Sequence, residues 1–268
     1  MFAEYVRDNP IVTEYRRHVR RFFAPTQNQT VNIIAVVLLG MIYCGMLLMA
    51  LQVGKDMQPE PVFVIQLIIT CFVVPAMAHG TIAGEREKRT WDLLLVAPIS
   101  KGQIVAGKFL AACAVVGLIA LTMVPFLFLC LFNVKYFAEY GATPFFLGEF
   151  IVLGYGVTLA AVSIWFSASV HRSLIAHGLV WLFQVLWLMI APFVMSGVVG
   201  GPTRNYIAFH PFVSVTEWRN YEVTTYPSPP VPTITGFSER LPLLLLYLVL
   251  TIAAYQFALS KVRNMEEI

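Results

Sequence analysis

Val62–Ile82 reads VFVIQLIITCFVVPAMAHGTI, Ala83–Lys101 reads AGEREKRTWDLLLVAPISK, and Ile104–Phe132 reads IVAGKFLAACAVVGLIALTMVPFLFLCLF. Two long apolar runs flank a short connection that starts with alternating charges and turns apolar. A helix crosses a bilayer in roughly 20 residues, and both runs are long enough. The pattern predicts two spanning helices joined by a tight loop.

The same pattern continues outward in both directions. Further apolar runs cover Val31–Val53, Phe145–Val170, Leu174–Val199 and Leu241–Leu259. The expected fold class is therefore all-α: a polytopic membrane protein with six transmembrane helices in one domain over residues 1–268. Composition agrees. The 268 residues are 58% hydrophobic and 12% charged, whereas soluble domains carry roughly 25% charged residues. A soluble fold of this length could not hide that much apolar surface in one core. Pro125 and Pro192 fall inside the third and fifth runs and predict a kink or an end there.

Lys and Arg set the orientation. With the N-terminus in the cytoplasm, the inner segments hold Arg7, Arg16, Arg17, Arg20, Arg21, Arg86, Lys88, Arg89, Lys101, Lys108, Arg172, Lys261 and Arg263. The outer segments hold only Lys55, Lys135, Arg204, Arg219 and Arg240. The positive-inside rule then places both termini in the cytoplasm, as an even number of spans requires. No cleavable signal peptide is expected, since the first apolar run starts thirty residues in and is long; it reads as a retained anchor. Cys44, Cys71, Cys113 and Cys130 all lie in apolar runs without metal-ligand spacing and read as packing residues.

Three segments outside the spans carry further information. Asn9–Phe23 (NPIVTEYRRHVRRFF) sets Val12, Tyr15, Val19 and Phe22 at helical spacing against Arg16, Arg17, Arg20 and Arg21. It predicts a basic amphipathic helix in the membrane interface, within a cytoplasmic segment 1–30. It serves as an orientation anchor or as an elbow packed on the bundle. In the connection 83–103, Thr90 is an expected cap for a short helix from Trp91 that Pro98 ends. Ser100 and Gln103 form an expected capping box for the next span, with Ile99 and Ile104 at the staple positions. Trp91, Leu93, Leu94, Leu95 and Val96 are too apolar for an idle loop and read as a partner site. The outer segment 200–240 is rich in proline and aromatic residues, suits the membrane–water boundary, and predicts a short helix around Val213–Tyr221.

Several function classes lack their residues. The sequence shows no phosphate-binding Gly-x-x-x-x-Gly-Lys-Ser/Thr, no metalloprotease or serine-hydrolase motif, and no charged residue at mid-span for an ion relay. Glu149 lies near the outer end of the fourth run. His79 and His177 lie near inner ends. No catalytic residue, metal ligand or nucleic-acid site is expected, and any ATP must be bound by another chain.

The stretch Gly80–Lys108, GTIAGEREKRTWDLLLVAPISKGQIVAGK, resembles the cytoplasmic loop of ABC transporter permeases of the type-2, exporter-like family. Glu85 and Glu87 match its acidic pair, Thr90 its threonine, and Leu93, Leu94 and Leu95 its leucine run. Pro98, Ile99, Ser100 and Lys108 match its end. Arg89 stands where glycine is usual, and Asp92 where glutamate is common. Asn9–Arg21 is similar to the N-terminal elbow of one branch. The resemblance implies a permease subunit in a cell membrane, a bacterial inner membrane, that is no enzyme itself. It implies a cytoplasmic ATPase partner carrying ATP and Mg, and a second permease copy surrounded by membrane lipid. It also implies that Glu85, Arg86, Glu87, Thr90, Trp91, Asp92, Leu93, Leu94, Leu95 and Pro98 form the coupling element. Export is the expected direction. Two other readings are a membrane assembly or anchoring subunit that uses the same ATPase without a soluble substrate, and a membrane-embedded enzyme.

Overall fold

The computed structural model describes residues 40–51, 57–91, 94, 100–190, 210–216, 219–222, 231–234 and 237–266. The expected elbow with Arg16, Arg17, Arg20 and Arg21 lies outside them, as do Asp92, Leu93, Leu95 and Pro98 of the connection, Pro192, and most of 191–230.

The long helices follow the apolar runs, and Ala83–Glu87, Val134–Tyr140 and Pro211–Thr216 are short helices between them. In chain order they are α1 (Gly40–Leu51), α2 (Glu60–Ala78), α3 (Ala83–Glu87), α4 (Lys101–Cys130), α5 (Val134–Tyr140), α6 (Thr143–Ser169), α7 (Ser173–Val185), α8 (Pro211–Thr216) and α9 (Phe237–Arg263). A π-helical turn, Leu186–Ile190, extends α7. Four helical stretches are long and apolar enough to cross a membrane: Glu60–Glu87, Lys101–Cys130, Thr143–Ser169 and Arg240–Arg263. Against the six expected, the first and fifth runs are present as the shorter apolar helices Gly40–Leu51 and Ser173–Met189. Both stop close to where the described residues stop.

Local capping explains the clearest boundary. Ser100 is extended, its hydroxyl accepts from the Gln103 amide, and the Gln103 side chain accepts from the Ser100 amide, so the expected capping box opens α4. Pro125 does not end that helix, which runs on to Cys130. A proline costs a helix one internal hydrogen bond, and 30 residues of apolar helix in a low-dielectric layer outweigh that loss.

Two features correct the expectation for the 200–240 segment. The short helix is α8, which ends at Thr216 rather than near Tyr221. Beyond it, β1 (Arg219–Glu222) pairs antiparallel with β2 (Val231–Ile234), Arg219 opposite Ile234. The bundle is thus helical with one small ribbon. The β-branched residues of Val231–Ile234 favour extended backbone over helix.

α6 is the axis of the bundle. It packs along α9, α2 and α4 and also meets α7 and α8, and it is the most buried of the four long stretches. Small residues let its neighbours approach. A Cβ added at Gly148 would lie 2.5 Å from the Phe63 ring, one at Gly154 2.9 Å from Tyr247, and one at Gly156 2.6 Å from Val116. Thr158 adds polar contacts to α9: its hydroxyl donates to the Gly154 carbonyl and lies 3.0 Å from the Thr251 hydroxyl. The four cysteines are unpaired.

Candidate functional site

The best-defined constellation of polar side chains lies at one end of the bundle, around the connection that follows α2. It is assembled from helix ends that lack caps of their own. α3 has no side-chain cap at Ile82. Its first amides, Ile82 and Ala83, instead donate to the Ser167 hydroxyl in the last turn of α6, at 3.0 and 2.9 Å. α7 has no side-chain cap at Arg172. Glu87, at the end of α3, takes its place and accepts from the Ser173 amide and hydroxyl at 3.2 and 2.8 Å. Arg86 serves the opposite pole. Its guanidinium donates to the carbonyls of Ala168 and Val170, where α6 ends, and lies 2.6 Å from His171 Nδ1. A cation at a helix C-terminus and an anion at a helix N-terminus both complement the backbone dipoles. The two consecutive charges of α3 therefore clasp the α6–α7 turn from both sides.

The clasp leaves a mark on Glu87. The Ser173 donors hold its carboxyl below the ordinary value, with Arg172 and Lys88 adding to the effect. A carboxyl with a lowered folded pKa contributes stability that is present above about pH 4.3 and lost as the pH falls through the folded value.

A second tie runs inward. The Lys108 ammonium, on the third turn of α4, is 2.8 Å from Glu85 Oε2 and donates to the Thr81 carbonyl at 2.7 Å. Both side chains are buried, Lys108 completely. At the same end the Lys101 ammonium donates to the Arg263 carbonyl at the end of α9. α3 is thereby joined to α4, α6 and α7, and α4 to α9.

The expected coupling residues are thus divided. Glu85, Arg86 and Glu87 are used within the chain. Trp91 and Leu94 are 5% and 8% exposed and belong to the main hydrophobic core; they are already covered with no partner present. Glu87, Lys88 and Arg89 form the exposed rim. Thr90 closes α3: its amide and hydroxyl both donate to the Glu85 carbonyl. Arg89 has φ +56°, a left-handed conformation that favours glycine. That is the position where the resembled loops carry glycine. Arg89→Gly is expected to leave the protein as stable or raise stability by up to about 1 kcal/mol, and Arg89→Val to lower it, both read by thermal unfolding in nanodiscs.

Nothing in the sequence pairs residues 82 to 86 positions apart, and so Ser167, His171 and Ser173 were not foreseen. The one available signal was the 170–172 turn, which lacks a Ser, Thr, Asp or Asn cap of its own. His79 and His177, which the sequence left unrelated, also meet here with ring centroids 4.4 Å apart. Trp181 Nε1 donates to His177 Nε2 at 2.9 Å. Among the described residues no group of three His, Cys, Asp or Glu is placed to hold a metal ion.

The site is a mechanical junction: charges and caps join a short loop to the ends of α4, α6 and α7, and α4 to α9. No individually curated protein matches the sequence. The family model described as ABC-2 family transporter protein matches residues 19–263, nearly the whole chain, and the protein belongs to that family, as a membrane permease component.

Proposed function

We propose that this chain is the pathway-forming permease subunit of an ABC exporter, and that the 83–103 connection couples it to a separate cytoplasmic ATPase. The reading keeps six spans, both termini in the cytoplasm, the 1–30 elbow on the inner surface and two permease copies per transporter. ATP and Mg belong to the ATPase, and this chain performs no catalysis.

One observation carries the reading. The connection is tied to α6 and α7 by Arg86, Glu87 and Ser167, and to α4 by the Glu85–Lys108 pair. A push on this loop therefore reaches several long helices at once, and a two-state bundle can be biased by ATP bound on another chain. Within this reading Trp91 and Leu94 root the connection in the bundle, while Lys88 and Arg89 face the partner. Asp92, Leu93, Leu95 and Pro98 complete the docking surface.

The test is charge reversal at the exposed rim. The double variant Lys88→Glu, Arg89→Glu is expected to lose ATPase co-purification, most strongly at low salt, because rim charges steer association and are screened. Thermal stability of the permease alone should not change. Unaltered co-purification and unaltered substrate-stimulated ATP hydrolysis would sink the coupling role. Co-purification with no substrate able to stimulate hydrolysis would favour the assembly-subunit reading instead.

A further inference from the structure

The half of the bundle away from the clasp holds a buried polar pair that the coupling reading does not use. Gln66 on α2 is 1% exposed, and its Nε2 donates to Glu149 Oε1 on α6 at 3.0 Å. The remaining acceptors of the pair, Gln66 Oε1 and Glu149 Oε2, are buried without any hydrogen-bond partner. Buried acceptors left open are costly, and in native structures they call for a missing donor. Ionisable side chains inside spans are correspondingly rare and mark ligand or ion paths.

The surroundings narrow the donor's chemistry. Two open acceptors on one hydrogen-bonded pair of side chains, one of them a carboxylate, suit a cation that carries more than one N–H. Glu149 is itself only half-buried, so the pair is not sealed. It lies about 9 Å along α6 from Thr143, at 1.5 Å per residue. Phe146 and Phe150, one turn apart, are 68% and 62% exposed. Positions 146, 149 and 150 share one helix face at the spacing that makes side chains neighbours. An apolar surface thus runs beside the open acceptors.

We propose that Gln66 and Glu149 form a subsite for the primary ammonium group of an amphipathic amine, whose apolar tail lies along Phe146 and Phe150. Glu149 supplies the charge and one acceptor, and Gln66 supplies the second acceptor while holding the carboxylate in place. The proposal deepens the permease reading by naming a substrate class, and it rests on that reading only for the meaning of the site.

The experiment is equilibrium binding to the full chain in nanodiscs, with empty nanodiscs subtracted, using radiolabelled dodecylamine, dodecyltrimethylammonium and dodecanol near neutral pH. Wild type is expected to show one saturable component for dodecylamine. The quaternary salt, which has no N–H, should bind at least tenfold more weakly, and the alcohol should not saturate. Glu149→Gln keeps a partner for Gln66 and removes the charge; it should weaken dodecylamine binding at least tenfold with its ligand-free melting temperature preserved. Gln66→Leu is the second variant, which keeps the carboxylate and removes the other acceptor, and it too should weaken the amine. An absent saturable component, equal binding of the quaternary salt or the alcohol, or wild-type affinity in both variants would overturn the proposal. Since no ATPase is present, this result is independent of the docking test: either can fail while the other stands.

Discussion

Lys108→Met is expected to be the most damaging single substitution in the junction around α3. It removes the ammonium that lies 2.8 Å from the buried Glu85 carboxylate. Removing one partner of a buried ion pair typically costs about 3–5 kcal/mol. The expected readout is a large drop in melting temperature in nanodiscs, together with uncoupling of ATP hydrolysis from transport in the assembled transporter. The double variant Lys108→Met, Glu85→Gln should recover most of the stability, since both charges of the buried pair are then removed together. The order of the three proteins is the test. If the single and double variants melt together, the pair does not hold α3 to α4. The tie differs from a surface ion pair, worth at most about 1 kcal/mol, because Lys108 is fully buried and Glu85 nearly so.

Gly156→Val should have the second largest effect, for a steric reason. An added Cβ would lie 2.6 Å from Val116 Cγ1 and 3.1 Å from Thr70 Cγ2. Val116 and Thr70 are themselves 2% and 1% exposed and have nowhere to retreat. Three helices, α6, α4 and α2, would have to separate at their crossing. Overpacking of this kind costs about 1–3 kcal/mol, and the branched side chain belongs at the upper end. Gly117→Ala in α4 is the matched control, because no atom lies within 4 Å of the added carbon. It should be neutral or stabilising by up to about 1 kcal/mol, the usual gain of Ala over Gly inside a helix. A Gly156→Val protein as stable as the control would show that α6 is not closely packed there.

Features set by neighbours in the chain were legible from the sequence. Long apolar runs became helices, because a run of low-polarity residues must satisfy its backbone within itself. The Ser100–Gln103 capping box could be read because its two hydrogen bonds span three residues. The glycine position of the resembled loops also had a local cause, the left-handed turn that Arg89 adopts.

What charges and small residues do was decided elsewhere. The resemblance places Glu85, Arg86 and Glu87 in the coupling element and says nothing of their partners within the chain. Their partners, Lys108, Ala168, Val170 and Ser173, are brought close only when α4, α6 and α7 stand side by side. Trp91 read as part of a partner site because it is too apolar for an idle loop, and within this chain it is 5% exposed. Glu149 read as a carboxylate near a helix end, and only the α2–α6 contact sets it against Gln66 with two acceptors open. The sequence by itself determined that this is a membrane bundle and where its four long helices lie, because hydropathy and capping act between residues a few positions apart. Only the tertiary structure decided which charges hold the loop and which stay exposed, because pairs such as Arg86 with Val170 or Gln66 with Glu149, 84 and 83 residues apart, meet only through helix packing.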